Sequence, residues 1–184
     1  MIPSHKGKPR LPTSTSTYTY IASPVGDLLA VRRAADAVTG RLGGLTGLYL
    51  PTGRHATALR PEWHRDDSAF DDVREQLGEY FAGERRDFTL TLDPAGTTFQ
   101  KAVWAALADI SYGETTSYGA VAATIGVAAG SRAVGLANGQ NPISIIVPCH
   151  RVVGANGSLT GYGGGLDVKR WLLGHELAHA GLFA

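Results

Sequence analysis

The chain of 184 residues is short of several residue types, and each shortage excludes a class of protein. It contains one cysteine, Cys149, which excludes an intramolecular disulfide and a cysteine-rich zinc site and is typical of a reducing compartment. No stretch approaches the roughly 18 consecutive apolar residues that a membrane-spanning helix requires. The N-terminus is basic but has no apolar segment behind it, unlike a secretory signal. These absences predict a cytoplasmic protein with no membrane partner.

Charge is scarce in the second half of the chain. Residues 1–96 carry 12 Lys/Arg and 12 Asp/Glu, whereas residues 97–184 carry only 5 and 4. The net charge of +1 argues neither for nor against a nucleic-acid partner. Hydrophobic residues make up 43% of the chain, which is enough for a packed core. Each charged residue of the second half is therefore a candidate for a specific role.

The first half has the pattern of a small α/β domain over residues 17–93, after a disordered tail over residues 1–16. A helix is predicted to open at Ser68, with Asp71 completing a loose capping box, and to end at Gly83. Strands are predicted at 18–21, 28–31 and 88–92, with weaker strand signals over 38–50 and a polar loop over 51–65.

Residues 97–184 form the second predicted domain, which is mostly α-helical. Two short helices joined by a tight turn, the first capped by Ser117 and the second starting near Ser131, predict a helix-turn-helix. The last helix is expected to be capped by Asp167. Its inner face is expected to hold Val168, Trp171, Leu172 and His175, with Glu176 at the edge of that face. The predicted fold class is thus an α/β N-terminal domain followed by a mostly α C-terminal domain with a helix-turn-helix.

The second helix of this motif has a face with little side-chain bulk. Arg132, Gly135, Leu136 and Gly139 share it by the three-to-four spacing of a helix. Such a face suits close approach either to the narrow minor groove of DNA or to another helix of the same domain. Arg132 favours the DNA interpretation, because an arginine on a small-residue face is awkward inside a core.

Cys149 follows the apolar run 143–147 and Pro148, and His150 comes directly after it. A lone thiol beside an imidazole fits a thiolate nucleophile, although a free cysteine is also a common core residue. If the segment is extended, neighbouring side chains point to opposite sides, so a water between thiol and imidazole is more natural than direct contact. The glycine-rich segment 161–165 around Tyr162 suits either a flat ligand or a flexible loop.

Several of these residues together resemble the signature of the O6-alkylguanine-DNA alkyltransferases. The resemblance covers residues 18 to about 178 and is strongest from residue 97 onward. The residues that carry it are Ser117-Tyr118, Arg132-Ala133-Val134-Gly135, Asn141-Pro142, the run Ile145 to Val152, Tyr162 with its glycines, and Glu176. The Pro-Cys-His-Arg core is highly specific when an asparagine stands eight residues before the cysteine, as Asn141 does here.

The resemblance implies a single-turnover repair protein that needs no cofactor and no metal. It would bind double-stranded DNA with an alkylated guanine through the minor groove and rotate the damaged base out of the stack. It would then move the alkyl group from O6 of guanine, or from O4 of thymine, irreversibly to Cys149. The protein is expected to act as a monomer, and cooperative binding along DNA is left open.

The resemblance also assigns roles to individual residues. His150, through a water, and Glu176 would activate Cys149, while Tyr118 would help rotate the nucleotide and donate a proton to the leaving guanine. Asn141 would be the hinge between the recognition helix and the active-site segment, and Arg132 would fill the gap left by the flipped base. The remaining expected contacts are Ser117, Ala133 and Gly135 for DNA, and Tyr118, Val152, Tyr162, Gly163 and Gly164 for the base pocket.

Two departures from the family pattern stand out. Some relatives hold a structural zinc in the N-terminal domain through cysteine and histidine, and no such site is expected with Cys149 as the sole cysteine. Gly163 stands where some relatives have a serine that contacts the guanine oxygen, so only backbone donors are available there.

Two other functions are open on the sequence. A helix-turn-helix regulator without chemistry predicts that Cys149 is replaceable. A cysteine hydrolase with a Cys-His pair predicts many turnovers on an ester or a peptide. The adjacency of Cys149 and His150 disfavours the hydrolase.

Overall fold

The computed structural model describes residues 16–52, 57–127 and 129–183. Within these ranges no helix is both long enough and apolar enough to cross a membrane. The predicted disordered tail lies outside the described residues except for Ser16, which already belongs to the first strand. Part of the predicted loop at 51–65 also lies outside them, and its last two residues form a short strand that the sequence analysis missed.

A four-stranded sheet forms the first half of the fold. The strands are β1 (Ser16–Ile21), β2 (Leu28–Arg33), β3 (Leu45–Tyr49) and β4 (His64–Arg65). Their order is β3-β2-β1-β4, with β1 parallel to β4 and the other pairs antiparallel. The predictions of strands at 18–21 and 28–31, and of strand structure within 38–50, are confirmed.

Helix α1 (Asp71–Ala82) covers the sheet and buries Val73, Gln76, Leu77 and Tyr80, which recur at helical spacing. It ends at Gly83 in the left-handed conformation (φ 78°), as predicted. The predicted start at Ser68 is wrong, because Ser68–Phe70 is a 3-10 turn without a side-chain cap. The Ser68 hydroxyl donates to Asp66 instead, so no capping box forms. The strand predicted at 88–92 is also wrong, since only Leu92 forms a bridge, to Leu45.

The second half is built from short helices and one short parallel pair of strands. The helices are α2 (Thr98–Ala108), α3 (Tyr118–Thr124), α4 (Ser131–Gly139) and α5 (Leu166–His179). The strands are β5 (Thr116–Ser117) and β6 (Val152–Val153). The Ser117 hydroxyl accepts a hydrogen bond from the Ala120 backbone N–H, which confirms Ser117 as the cap of α3. The predicted fold class, including the helix-turn-helix of α3 and α4, is confirmed.

Two predictions for the last helix are wrong. Gly165 is its N-cap, and Asp167 lies within the first turn, where it pairs with Arg170. Trp171 is 38% exposed, while the side chains buried along α5 are Lys169, Leu172 and Glu176. Two charged residues therefore lie on the inner face of this helix, and burying them requires polar partners.

Both halves of the chain share one hydrophobic core, which contains Leu48, Leu77 and Tyr80 from the first half and Leu107, Ile143 and Leu172 from the second. The edge strand β3 also pairs with the segment that leads to Cys149. The Leu48 N–H donates to the Pro142 carbonyl at 2.8 Å, and the Ser144 N–H donates to the Leu48 carbonyl at 3.0 Å. The sheet of the first half thus fixes the position of the segment that carries the thiol.

Candidate active site and nucleic-acid interface

The segment before Cys149 is irregular and buried, and the side-chain amide of Asn141 holds it at two points. Asn141 Nδ2 donates to the Val147 carbonyl at 2.8 Å, and Asn141 Oδ1 accepts from the Ile143 N–H at 3.0 Å. Ile145, between these two points, has a φ of 72°, which is strained for a β-branched residue. The predicted hinge residue Asn141 therefore ties the end of α4 to the cysteine segment and stabilises a backbone turn that apolar residues would not adopt alone.

Cys149 opens a 3-10 turn, Cys149–Arg151, and is only 5% exposed. The expectation of an extended segment is therefore wrong, and alternation of side chains does not determine how His150 is oriented. Burial raises the pKa of the Cys149 thiol, while hydrogen bonding from Asn141 and the charge of Lys169 act in the opposite direction. The resting thiol is thus protonated at neutral pH and needs a base before it can act as a nucleophile.

Glu176 is fully buried, and its carboxylate is the centre of a dense hydrogen-bond network. His150 Nε2 lies 2.7 Å from Oε1, and the Arg151 guanidinium donates to both carboxylate oxygens at 2.9 and 3.0 Å. The Tyr80 hydroxyl adds a hydrogen bond of 2.8 Å, and the Gly113 N–H adds one of 3.2 Å. Burial alone would raise the pKa of Glu176, but the hydrogen bonds and charges of His150 and Arg151 outweigh it and lower that pKa to about 2. Glu176 is therefore a carboxylate at any physiological pH.

The state of His150 follows from this carboxylate. Burial lowers the pKa of His150, against the opposing pull of Glu176, so the imidazole is neutral at neutral pH. Because Glu176 only accepts, the proton of the neutral ring lies on Nε2 and points at the carboxylate. Nδ1 then carries a lone pair, and among the described residues this buried atom has no hydrogen-bond partner. The geometry therefore presents a base one residue away from the thiol.

Lys169 is a buried site residue that the sequence analysis missed. Its side chain is fully buried, and Nζ donates to the Val152 carbonyl at 2.6 Å and to the Thr160 carbonyl at 3.3 Å. Burial lowers the pKa of Lys169, and the nearby Cys149 opposes that shift. A signal existed, because Lys169, Leu172 and Glu176 fall on one face of a helix by their spacing.

A cleft of about 930 Å³ lies between the helix-turn-helix and the glycine-rich segment. Ser117, Arg132 and Gly135 line it on the helical side, and Tyr162 and Gly163 line the opposite side. The remaining lining residues include Tyr118, Ser131, Leu136, Gly139 and Thr160. Arg132, Ala133 and Leu136 are exposed, so this part of α4 is open to solvent, while Gly135 lies against the ring of Tyr118 at the start of α3.

The predicted pocket residues divide into two groups. Tyr118 and Tyr162 lie in the wall of the cleft, and the Tyr118 hydroxyl accepts from Thr160 Oγ1 at 2.9 Å. Burial raises the pKa of Tyr162, and the nearby Cys149 adds to that rise. Val152 and Gly164 are instead buried behind the wall, with Gly164 against Leu50. Across the described ranges, no group of three or more His, Cys, Asp or Glu side chains is arranged to hold a metal ion.

The chain combines a helix-turn-helix that has an open face with a buried thiol, histidine and carboxylate, which is the pattern of a DNA-binding protein with a cysteine nucleophile. Two family models match: "6-O-methylguanine DNA methyltransferase, DNA binding domain" over residues 98–178, and "6-O-methylguanine DNA methyltransferase, ribonuclease-like domain" over residues 17–94. The chain belongs to the methylated-DNA–protein-cysteine methyltransferase family, as the sequence resemblance predicted.

Known relatives align over most of their own length. The methylated-DNA–protein-cysteine methyltransferase of Mycolicibacterium paratuberculosis is 49% identical, with 89% of this chain and 93% of the relative covered. The protein of the same name from Methanosarcina acetivorans is 47% identical, with 85% and 95% covered. The crystal structure of Mycobacterium tuberculosis OGT in complex with DNA superimposes with a TM-score of 0.80 at 47% identity, covering 89% of this chain and 94% of that one.

Proposed function

We propose that this chain repairs alkylated DNA by moving the alkyl group from O6 of guanine, and from O4 of thymine, to Cys149 in a single turnover. The observation that carries the proposal is the 2.7 Å contact between His150 and the buried Glu176, because His150 directly follows the only cysteine in the chain. This pair leaves a neutral imidazole nitrogen as a base on the residue after Cys149, whose thiol burial keeps protonated. Membership of the family and the DNA-bound relative support the choice of substrate.

The proposed binding mode uses the open face of α4 in the minor groove. Gly135 and Gly139 keep this face free of bulk, so the helix backbone can approach a groove about 6 Å wide. Arg132 enters the duplex and occupies the space of the flipped nucleotide, while Ser117 and Ala133 contact the backbone of the DNA. Rotating the nucleotide out of the stack costs a few kcal/mol, which the inserted arginine partly offsets.

The flipped base enters the cleft between Tyr118 and Tyr162, where the backbone around Gly163 supplies its polar contacts. The thiol proton passes to His150 Nδ1 through a bridging water, and Glu176 stabilises the imidazolium that forms. The thiolate attacks the alkyl carbon, the carbon–O6 bond breaks, and its electron pair stays on the guanine. Tyr118 protonates the leaving guanine and regains a proton from His150 through solvent. One proton thus moves overall from Cys149 to the base.

The proposed reaction ends after one transfer because its product is a thioether. Water does not cleave a carbon–sulfur bond of this kind, whereas a hydrolase would need an ester intermediate. One monomer is therefore consumed for each lesion that it repairs.

The proposal is tested by incubating the protein with a duplex that carries deuterated O6-methylguanine, followed by peptide mapping by mass spectrometry. The expected result is one deuterated methyl group on the peptide that contains Cys149. An undamaged duplex of the same sequence is the control. A label on any other peptide, or no label at all under conditions where the duplex is bound, would contradict the proposal.

A further inference from the structure

Tyr80, in the first half of the chain, donates a side-chain hydrogen bond to the Glu176 carboxylate. It lies in the last turn of α1, is fully buried, and stands 96 positions before Glu176 in the sequence. Its ring packs among aromatic neighbours from both halves of the chain, namely Phe81, Phe88, Tyr112 and His175. The hydroxyl is therefore held in a rigid, water-poor setting.

Tyr80 contacts α5 both through its side-chain hydroxyl and through its backbone carbonyl. The hydroxyl donates to Glu176 Oε1 at 2.8 Å, and the backbone carbonyl accepts from His175 Nε2, also at 2.8 Å. His175 and Glu176 are adjacent in α5, so Tyr80 alone links α1 to this turn of α5 by two hydrogen bonds. Burial raises the pKa of the Tyr80 hydroxyl, and the charge of Glu176 raises it further, so the hydroxyl acts only as a donor.

We propose that Tyr80 is a positioning residue for the alkyl transfer: its hydroxyl shares the negative charge of Glu176 with His150 and thereby sets the basicity of the imidazole. The inference rests on the proposed function, because it assumes that His150 is the base for Cys149. If Tyr80 has this role, the α/β unit of the first half contributes to the alkyl transfer, because Tyr80 belongs to α1.

The direction of the effect follows from charge sharing. Oε1 accepts from Tyr80, His150 and Arg151, and each donor withdraws part of the same charge. Without the tyrosine hydroxyl, Oε1 attracts a proton on His150 more strongly, so the pKa of His150 rises. The ionisable groups around this pair are Arg151 on the 3-10 turn, Lys169 and His175 on α5, and Tyr112, with Arg86 next to Tyr112. None of these is altered by removing the Tyr80 hydroxyl.

The chain offers a matched control in Tyr112. It is also buried, its ring contacts Tyr80 edge-on, and the Arg151 guanidinium lies over its face. Its hydroxyl, however, has no hydrogen-bond partner among the described residues. Tyr112→Phe and Tyr80→Phe therefore remove the same atom from the same aromatic cluster, and only the second takes a donor from Glu176.

The test compares wild type, Tyr80→Phe and Tyr112→Phe between about pH 4.5 and about pH 9 by two measurements. Nitrogen-15 NMR of labelled histidine gives the tautomer and the titration of His150 without any DNA. Single-turnover methyl transfer at saturating duplex gives the pH–rate profile. In Tyr80→Phe both the His150 titration and the acid limb of the rate should move to higher pH by about half a unit or more, while Tyr112→Phe should match wild type.

A second variant removes the ambiguity of a folding defect. Incorporation of 3-fluorotyrosine at position 80 keeps the shape but makes the hydroxyl a stronger donor, so the His150 titration should move to lower pH. Opposite shifts for the two variants support the proposal. Superimposable titrations in wild type and the variants, or a rate loss of equal size at every pH, would overturn it. A wild type that transfers no methyl group would instead contradict the proposed function, and the NMR titration would still decide the role of Tyr80.

Discussion

The site has a buried side, around Glu176, and a cleft side, along α4, and the two differ sharply in how their polar groups are paired. On the buried side, the Glu176 carboxylate is fully buried and receives hydrogen bonds from four different residues. On the cleft side, which is open to solvent, α4 exposes Arg132 and Leu136 beside glycine and alanine residues. The comparison teaches that the Glu176 carboxylate finds all of its partners within the folded protein, whereas the exposed face of α4 is available for a ligand.

Removal of the thiol should have the largest effect, because Cys149 is the proposed acceptor of the alkyl group. Replacing Cys149 with serine keeps the size of the side chain but offers an alcohol, which His150 deprotonates far less readily. Methyl transfer should fall by about 10⁴-fold or more. Duplex binding should remain close to wild type, because the cleft face is untouched. Measured transfer rates and a duplex binding curve check both parts, and a regulator without chemistry would show no loss in either.

The buried side should respond next most strongly to Glu176→Gln. The glutamine amide carries no charge to neutralise Arg151 and does not fix the tautomer of His150. Both the free energy of unfolding and the rate of methyl transfer should therefore fall. Breaking a buried ion pair by removing one partner should lower the free energy of unfolding by about 3 kcal/mol. Transfer should slow by about 10²-fold or more. Urea unfolding and single-turnover rates measure the two effects.

Glu114→Gln is the control for that variant, because it changes an exposed carboxylate of the second half. It should leave both measurements within experimental error. If Glu114→Gln and Glu176→Gln behave alike, the distinction between the buried side and the surface is wrong.

Acid provides a test of the buried side without mutation. The folded pKa of Glu176 is about 2, below its ordinary value of 4.5, so ionised Glu176 stabilises the folded state above pH 4.5. That stabilisation, about 3 kcal/mol, should be lost as the pH falls from 4.5 towards 2. Urea midpoints across this range measure it, and the loss should be much smaller in Glu176→Gln. Equal acid sensitivity in both proteins would show that other carboxylates dominate.

A substitution on the cleft side should change the free energy of unfolding least and should mainly weaken the binding of duplex DNA. Arg132→Ala should weaken duplex binding by about 1–3 kcal/mol and flatten its dependence on salt. The free energy of unfolding should stay within about 0.5 kcal/mol of wild type, because the side chain is exposed. Fluorescence anisotropy at several salt concentrations measures the binding.

Arg170→Ala is the matched control for that variant, since Arg170 is an exposed arginine paired with Asp167 and lies outside the lining of the cleft. Its loss should leave duplex affinity near wild type. A similar weakening in both variants would mean that positive charge in general, and not the face of α4, carries the binding.

The sequence predicts the cleft side better than the buried side. Ser117 caps one short helix and Arg132 lies in the next, and their caps and faces are set by neighbours three or four residues away, so local spacing is sufficient. The same local logic also contained the Thr97–Gln100 capping box of α2, a signal that the sequence analysis overlooked. The strand predicted at 88–92 failed because only Leu92 of this segment pairs, with Leu45 of β3.

The buried side depends on contacts that local patterns do not encode. Glu176 entered the site only through the family resemblance, because its partner Tyr80 lies 96 positions away and Gly113 lies 63 away. The left-handed backbone of Ile145 contradicts its local preference and is fixed by the hydrogen bonds of Asn141 around it. Such features follow from tertiary packing, which overrides the tendencies of single residues.

The central claim is that one sulfur atom is consumed for each lesion removed. It is tested most directly by mixing wild-type protein with a tenfold molar excess, about 10:1, of duplex carrying O6-methylguanine and counting restored guanines with time. The account predicts a plateau at one restored guanine per protein molecule, with Cys149 fully methylated at the plateau. Restoration that continues past one per molecule would contradict it.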